Sequence, residues 1–306
     1  MSSAAPEPRT SRPGADLRLL VPLRPQGPIE VLDRATHLLR TRLADLLTVS
    51  LAVQLPIWLL LALLLRDEWA AGVEDNVAWF WLALFPDPAT LGLLADESTG
   101  GSIVGVVLAR ALPSFGLAVI GAACGVLVHD WAHGRPTRGT DALLRILPRL
   151  HVLFVLWSII HGLQIVTCVG TVLGPLVFGV AAPLWAMEEA EGRRGAWPAI
   201  VRSWRLSLKR FWVLCLSIPI ATLVSALVGG TIGAIGLWAL YGITGGWVDV
   251  GGTGATALAA ALPHLVLDPL LAISMALLAL DLKVQVEGYD LEVELSEAES
   301  AEVRRD

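Results

Sequence analysis

The run LLTVSLAVQLPIWLLLALLL, residues 46–65, decides the fold class of this chain. It contains no charged residue, and about 20 apolar residues are what an α-helix needs to cross the hydrocarbon core of a bilayer. Residues 1–27 are rich in Pro, Ser and Arg and contain no apolar run, so they do not resemble a cleavable signal peptide. Residues 46–65 therefore predict an uncleaved first transmembrane span.

The composition of the whole chain agrees with a membrane environment. Of the 306 residues, 55% are hydrophobic and 16% are charged, and the mean hydropathy is +0.66. Soluble domains have about 25% charged residues. Such a chain has more apolar surface than one aqueous domain can bury, so we expect a bilayer as its solvent. The scarcity of lysine beside abundant Ala, Leu, Gly and Arg is typical of GC-rich bacteria.

Further apolar runs bring the predicted number of transmembrane helices to about six. Residues 151–187 would make a continuous helix about 55 Å long, which is too long for one crossing of a core about 30 Å thick. We therefore expect a hairpin that turns near Gly170, within an all-α membrane protein. The predicted spans are residues 45–65, 105–129, 150–168, 170–187, 211–239 and 256–282.

The basic residues predict the orientation of these spans. With six spans, 20 of the 22 Lys and Arg residues fall on one side of the membrane. Because cytoplasmic loops carry the excess of Lys and Arg, we expect a plasma-membrane protein with both termini in the cytoplasm. A five-span topology would put the basic loops on opposite sides. We expect a disordered N-terminus at 1–26, a polytopic membrane domain at 27–287 and an acidic cytoplasmic tail at 288–306.

Three basic segments precede the first, third and fifth spans and look alike. Gly27, Gly139 and Gly195 begin them, and each segment has a helical amphipathic pattern and runs into the next span. Basic amphipathic helices lie in the membrane interface and attract anionic lipid. We expect three units, each an interfacial helix followed by a transmembrane hairpin; the alternative is ordinary cytoplasmic flanks that obey the charge rule. The lipid-headgroup candidates are Arg34, Arg145, Arg149, Arg202, Arg205 and Lys209.

Three stretches of the chain carry the motifs of a known family. They contain Pro22-Leu23-Arg24-Pro25 and Leu32-Asp33-Arg34-Ala35, then Pro183-Leu184-Trp185 and Arg202-Ser203-Trp204, and last Asp281-Leu282-Lys283 and Glu287-Gly288-Tyr289. In these stretches the chain resembles the membrane-domain family that some bacteria attach to glycerophosphoryl diester phosphodiesterases. The resemblance implies a multi-pass membrane protein without the phosphodiesterase barrel. One departure is at residues 284–286, where the family pattern usually has further arginine.

Polar residues inside the predicted spans are candidates for a functional site, because charge at mid-bilayer is expensive. Asp268 lies near the middle of the sixth span, and His264 lies four residues before it on the same helical face. His161 lies in the middle of the third span. A His–Asp pair in a membrane can relay protons or bind a substrate cation. The alternative is a locally paired Asp that packs the bundle beside Pro269.

Other chemistry has weaker support in the sequence. His129 and His133 are four residues apart but lack a third ligand, so we expect no metal and no cofactor. Without a nucleophile–base triad or a phosphate loop, we expect neither an enzyme nor a nucleic-acid partner. The aromatic patch in the loop 66–102 predicts that this loop is a membrane-surface anchor or a lid. Gly121 and Gly125 predict close helix packing.

Two functions follow as hypotheses. The first is a non-catalytic scaffold or regulatory subunit that binds anionic lipid and a membrane partner or a second copy of itself. The basic interfacial helices suggest this function, and the sequence shows no set of catalytic residues that would suggest an enzyme. The alternative is a transporter or lipid-handling carrier that uses His264 and Asp268, since bundles built from repeats with midplane sites are common among transporters.

Overall fold

The computed structural model describes residues 17, 20–64, 103–166, 178–192, 195–243 and 253–295. Within these residues the secondary structure is helical and contains no strand, which confirms the predicted all-α class. The predictions for the disordered N-terminus, for the loop 66–102 and for the tail beyond residue 295 concern segments outside the described residues.

Several consecutive helices are separated by only one to three residues. The helices are α1 (Pro28–Thr41), α2 (Leu43–Leu64), α3 (Ile103–Ala132), α4 (Gly139–Ile146), α5 (Leu150–Val166), α6 (Ala181–Ala190), α7 (Ala196–Lys209), α8 (Phe211–Ile243) and α9 (Thr253–Glu287). A 3-10 turn, Leu147–Arg149, joins α4 to α5, and residues 289–295 are again helical after α9.

Helices α1 and α7 are built alike. Each has 14 residues, begins after a glycine, Gly27 or Gly195, and ends at an arginine that leaves the helical conformation. Arg42 has φ −122° and ψ 29°, and Arg210 has φ −127° and ψ 33°. The chain thus turns by the same local geometry before α2 and before α8, and the bend between α7 and α8 is 102°. Helix α4 differs, because it continues into α5 through the 3-10 turn.

Several helices are long and apolar enough to cross a membrane, as predicted. Four helical segments reach that length, one of them the continuous run of α4 and α5, and a fifth span results if the bent pair of α7 and the first part of α8 counts as one. The predicted span at 170–187 lies partly outside the described residues, so the count of six stays a prediction. The four are Leu43–Leu61, Ala111–Ala132, Gly139–Gly162 and Leu267–Glu287.

The start of α2, the end of α3 and the start of α4 meet at one end of the bundle. The backbone N–H of Gly139 donates to Oδ1 of Asp45 at 3.1 Å, which joins α4 to α2. The guanidinium of Arg145 on α4 lies 2.6 Å from the carboxylate of Asp130 on α3. We call this end of the bundle the basic end, because the three basic segments begin here.

The last helix reaches the basic end as well. The backbone N–H of Gln26, just before α1, donates to Oδ1 of Asp281 near the end of α9 at 2.7 Å. Arg202 on α7 pairs with Glu188 near the end of α6 and with Glu287 at the end of α9. The helices α1, α6, α7 and α9 are thereby tied together at this end.

Helix α9 is the centre of the bundle and packs against α8, α3 and α2. Most residues of Leu267–Glu287 are buried, whereas most residues of Leu43–Leu61 are not. Helix α6 packs against α3, where Gly125 meets the backbone of Pro183 closely. The polar side chains of α9 are therefore enclosed by neighbouring helices.

Candidate functional site

Three polar side chains meet between α2 and α9 and form what we call the Asp268 cluster: Gln54, His264 and Asp268. Asp268 is 6% exposed, and Gln54 is completely buried. Nδ1 of His264 lies 3.2 Å from Oδ1 of Asp268, one helical turn away. Nε2 of Gln54 donates a hydrogen bond to the other carboxylate oxygen, Oδ2. The structure thus brings the predicted pair together and adds a partner from a second helix.

The surroundings of the Asp268 cluster fix its geometry. The Trp58 ring lies over His264 with a centroid separation of 5.1 Å. The Ser50 hydroxyl donates to the His264 backbone carbonyl at 3.5 Å, and the Gln54 amide donates to the Pro113 carbonyl at 3.4 Å. Gln54 is not among the predicted site residues, although an amide inside an apolar run marks it in the sequence.

His161, the third predicted polar residue, lies in a different environment. Its Nε2 is 2.7 Å from the Ser114 hydroxyl, and its Nδ1 is 3.1 Å from the Trp157 carbonyl. The Trp157 ring also packs on it, with centroids 4.6 Å apart. Among the described residues, no carboxylate pairs with His161. Of the two predicted intramembrane histidines, His264 is therefore the one with an acidic partner among the described residues.

A second group of buried polar side chains lies at the basic end, and we call it the Lys283 cluster: Lys283, Glu191, Tyr289 and His129. Lys283 is 1% exposed, pairs with the Glu191 carboxylate and lies 3.8 Å from the centre of the Tyr289 ring. Nδ1 of His129 is 4.0 Å from Oε1 of Glu191 and 3.4 Å from the Tyr289 hydroxyl. An ammonium group this deeply buried requires such a counter-charge.

The electrostatics of the basic end follow from burial and pairing. Burial opposes ionisation of Glu191, but the nearby Lys283 ammonium outweighs it and holds the pKa of Glu191 below its ordinary value. Burial and the Glu191 carboxylate raise the pKa of the Tyr289 hydroxyl. Burial also raises the pKa of Glu188, although Arg202 partly offsets this. At neutral pH Glu191 is therefore ionised and Tyr289 is neutral.

The predicted headgroup residues fall into two groups. Arg205 and Lys209 are exposed on α7, and no ion pair involves them within the described residues. The other four candidates contact acids of the chain itself. These contacts are Arg202 with Glu188 and Glu287, Arg145 with Asp130, Arg149 with Glu189, and Arg34 with Glu30.

The stretches on which the family resemblance rests are neighbours in space. Nε of Arg202, from the central stretch, donates to Oε1 of Glu287, from the last stretch, at 2.8 Å. Gln26 lies between the two parts of the first stretch, and its backbone N–H donates to Asp281 of the last. Lys283 and Tyr289 of the last stretch reach Glu191, between the two parts of the central one. These motif residues therefore form one continuous polar region.

His129 and His133 are neighbours at the basic end. Their ring centroids are 4.5 Å apart, and the Tyr289 hydroxyl lies 3.4 Å from Nδ1 of His129 and 3.5 Å from Nε2 of His133. In the part of the chain that the structure describes, no group of three or more His, Cys, Asp and Glu residues is placed to hold a metal ion.

Comparisons of the chain with known protein families, curated proteins and solved structures found no match. The family resemblance therefore stays a prediction from the motifs. The function is therefore inferred from the Asp268 cluster, the Lys283 cluster and the exposed surface of α7.

Proposed function

We propose that the chain is a plasma-membrane protein of six spans in three helix-plus-hairpin units, which acts as a non-catalytic scaffold or regulatory subunit. The contacts at the basic end support an even number of crossings. Helix α2 leaves this end and α3 returns to it, as the positions of Asp45 and Asp130 indicate. Arg149 at the start of α5 pairs with Glu189 of α6, and α9 also ends here.

This arrangement supports both termini on the cytoplasmic side. Gln26, before α1, and Glu287, at the end of α9, both lie at the basic end, where the arginine-rich segments are gathered. Because Lys and Arg are retained on the cytoplasmic side of membranes, the basic end is the cytoplasmic one in this proposal.

The observation that carries the proposal is the outer surface of α7. Trp197, Trp204 and Leu208 expose 64%, 46% and 50% of their surface, beside exposed Arg205 and Lys209. Tryptophan prefers the headgroup region of a bilayer, and basic residues there attract anionic lipid. The bend before α8 orients α7 across the direction of the spans. This surface suits a helix that lies in the membrane interface.

The buried charges at the basic end support the same proposal. Arg202 and Lys283 are each neutralised by carboxylates of the chain, so these cations connect helices instead of facing a ligand. The exposed Arg205 and Lys209 are then the residues that bind anionic headgroups. A membrane partner, either another protein or a second copy, would pack on the exposed apolar side of α8, which includes Trp212, Leu216, Leu223 and Leu227.

The double substitution Arg205→Gln with Lys209→Gln tests this proposal. Each exposed basic residue near an anionic surface contributes about 1 kcal/mol, so we expect affinity for anionic phospholipid to fall by roughly tenfold or more. The measurement is exchange of brominated phosphatidylglycerol against phosphatidylcholine in nanodiscs, followed by tryptophan fluorescence. The control is Arg205→Lys with Lys209→Arg, which keeps both charges and should bind like the wild type. Equal affinity of the Gln variant and the control would contradict lipid binding by α7.

A second candidate function is a carrier, and the Asp268 cluster is the observation that favours it. An ionisable pair is costly to bury in a membrane span, and such a pair is usually retained because it is needed for function. In this case Asp268→Asn should abolish complementation of a deletion strain while the protein is expressed and folded normally. Complementation at the wild-type level, with equal expression, would remove the carrier as a candidate and would leave the scaffold unaffected.

A further inference from the structure

The hydrogen bonds around Asp268 indicate its ionisation state. Nε2 of Gln54 donates to Oδ2, and Nδ1 of His264 lies 3.2 Å from Oδ1, to which it donates when this ring nitrogen carries the proton. A protonated carboxyl group would have to donate one hydrogen bond, but a carboxylate accepts at both oxygens. The arrangement therefore suits an ionised Asp268.

An ionised Asp268 requires a positive charge close by. An isolated carboxylate in a low-dielectric interior is strongly disfavoured, whereas an ion pair with hydrogen bonds is tolerated. Among the described residues, His264 is the one titratable side chain that contacts Asp268. The other groups around the pair are uncharged; they are Gln54, Ser50 and Trp58 of α2 and the Pro113 carbonyl of α3.

The position of Trp58 also favours a charged His264. Its ring centroid is 5.1 Å from that of His264, within the distance at which an aromatic face attracts a cation. We propose that the Asp268 cluster is a proton-binding site within the bilayer, in which His264 holds the proton between the Asp268 carboxylate and the Trp58 ring. The ligand is a single exchangeable proton, and the occupied pair has no net charge.

His161 is a natural control for this assignment. It also lies in a predicted span and packs on a tryptophan, but its ring nitrogens meet the Ser114 hydroxyl and the Trp157 carbonyl instead of a carboxylate. A neutral imidazole satisfies both contacts, one as donor and one as acceptor. The two histidines therefore differ chiefly in the acidic partner.

The test is nitrogen NMR of the full chain in detergent micelles, with ¹⁵N-labelled histidine rings followed against pH. His264→Gln and His161→Gln assign the two signals. At about pH 8, above the ordinary histidine pKa of about 6.5, we expect His264 to be doubly protonated and His161 to be neutral. Asp268→Asn should weaken proton binding by His264 by tenfold or more, because a nearby opposite charge changes proton affinity by that order.

A neutral His264 ring at about pH 8 would overturn the proposal, as would an unchanged titration of His264 in a folded Asp268→Asn protein. If Asp268→Asn does not fold, the comparison of His264 with His161 in the wild type decides the question alone. The inference does not depend on the scaffold function, since its failure would leave lipid binding by α7 untouched and would weaken only the carrier.

Discussion

Glu191→Gln is expected to lower the free energy of unfolding by about 3 kcal/mol, because it removes the carboxylate that pairs directly with the buried Lys283 ammonium. Lys283 is 1% exposed and pairs directly with Glu191. The Tyr289 ring at 3.8 Å offers only a weaker cation–π contact in replacement. Thermal unfolding of the purified protein in detergent measures the loss.

Substitution of the other member of the ion pair, Lys283→Met, is the matched control. Its effect should be smaller, because the Glu191 side chain is 19% exposed and can turn towards water after the ammonium is removed. The double variant Lys283→Met with Glu191→Leu should recover most of the lost stability, since no unpaired charge then remains buried. Equal losses from the two single substitutions, or a double variant with the sum of both losses, would contradict this account.

The pH dependence provides an independent check on Glu191. Its pKa is lowered in the folded protein, so its ion pair contributes stability that is present above the ordinary glutamate pKa of about 4.3. That contribution is lost as the pH falls through the lowered pKa. The difference in stability between the wild type and Glu191→Gln should therefore be complete at neutral pH and should shrink only below about pH 4. A difference that disappears already near pH 6 would contradict the assignment of this stability to the Glu191 carboxylate.

The helical class and the starts of α1 and α7 could be predicted because both depend on local patterns. A run as long and apolar as residues 46–65 has few alternatives to a spanning helix. Glycine before a pattern of 3.6-residue period predicts the start of α1 and of α7, and Gly27 and Gly195 do lie there. The number of spans and the three-unit repeat stay predictions, because parts of the predicted hairpins lie outside the described residues.

The partners of the buried polar groups could not be predicted, because they depend on how helices distant in sequence rotate against each other. Gln54 and Asp268 are separated by 214 positions, and Glu191 and Lys283 by 92. His264 and Asp268 were accessible to prediction because one helical turn places them together. Lys283 looks like an ordinary basic flank of the last span in the sequence, yet the packing of α6 and α7 on α9 encloses it.

Gly125→Ala is expected to destabilise the protein by roughly 1–3 kcal/mol, as overpacking of a close interface does. A Cβ atom at Gly125 would lie 2.7 Å from the carbonyl oxygen and 2.8 Å from the Cα atom of Pro183. Since these are backbone atoms, no side-chain rotation relieves the contact, and α3 and α6 must move apart. The displacement would spread to the Lys283 cluster, because Glu191 directly follows α6.

Gly121→Ala, one turn earlier on α3, separates this contact from a general effect of adding a methyl group to the helix. A Cβ atom there would lie 3.7 Å from Cδ of Pro183, an ordinary van der Waals distance. Because alanine is also the better helix former, this variant should be as stable as the wild type or slightly more stable. Thermal unfolding in detergent should therefore separate two identical substitutions on one helix face. If both variants unfold at the same temperature, α3 and α6 are not in the close contact that places Glu191 beside Lys283.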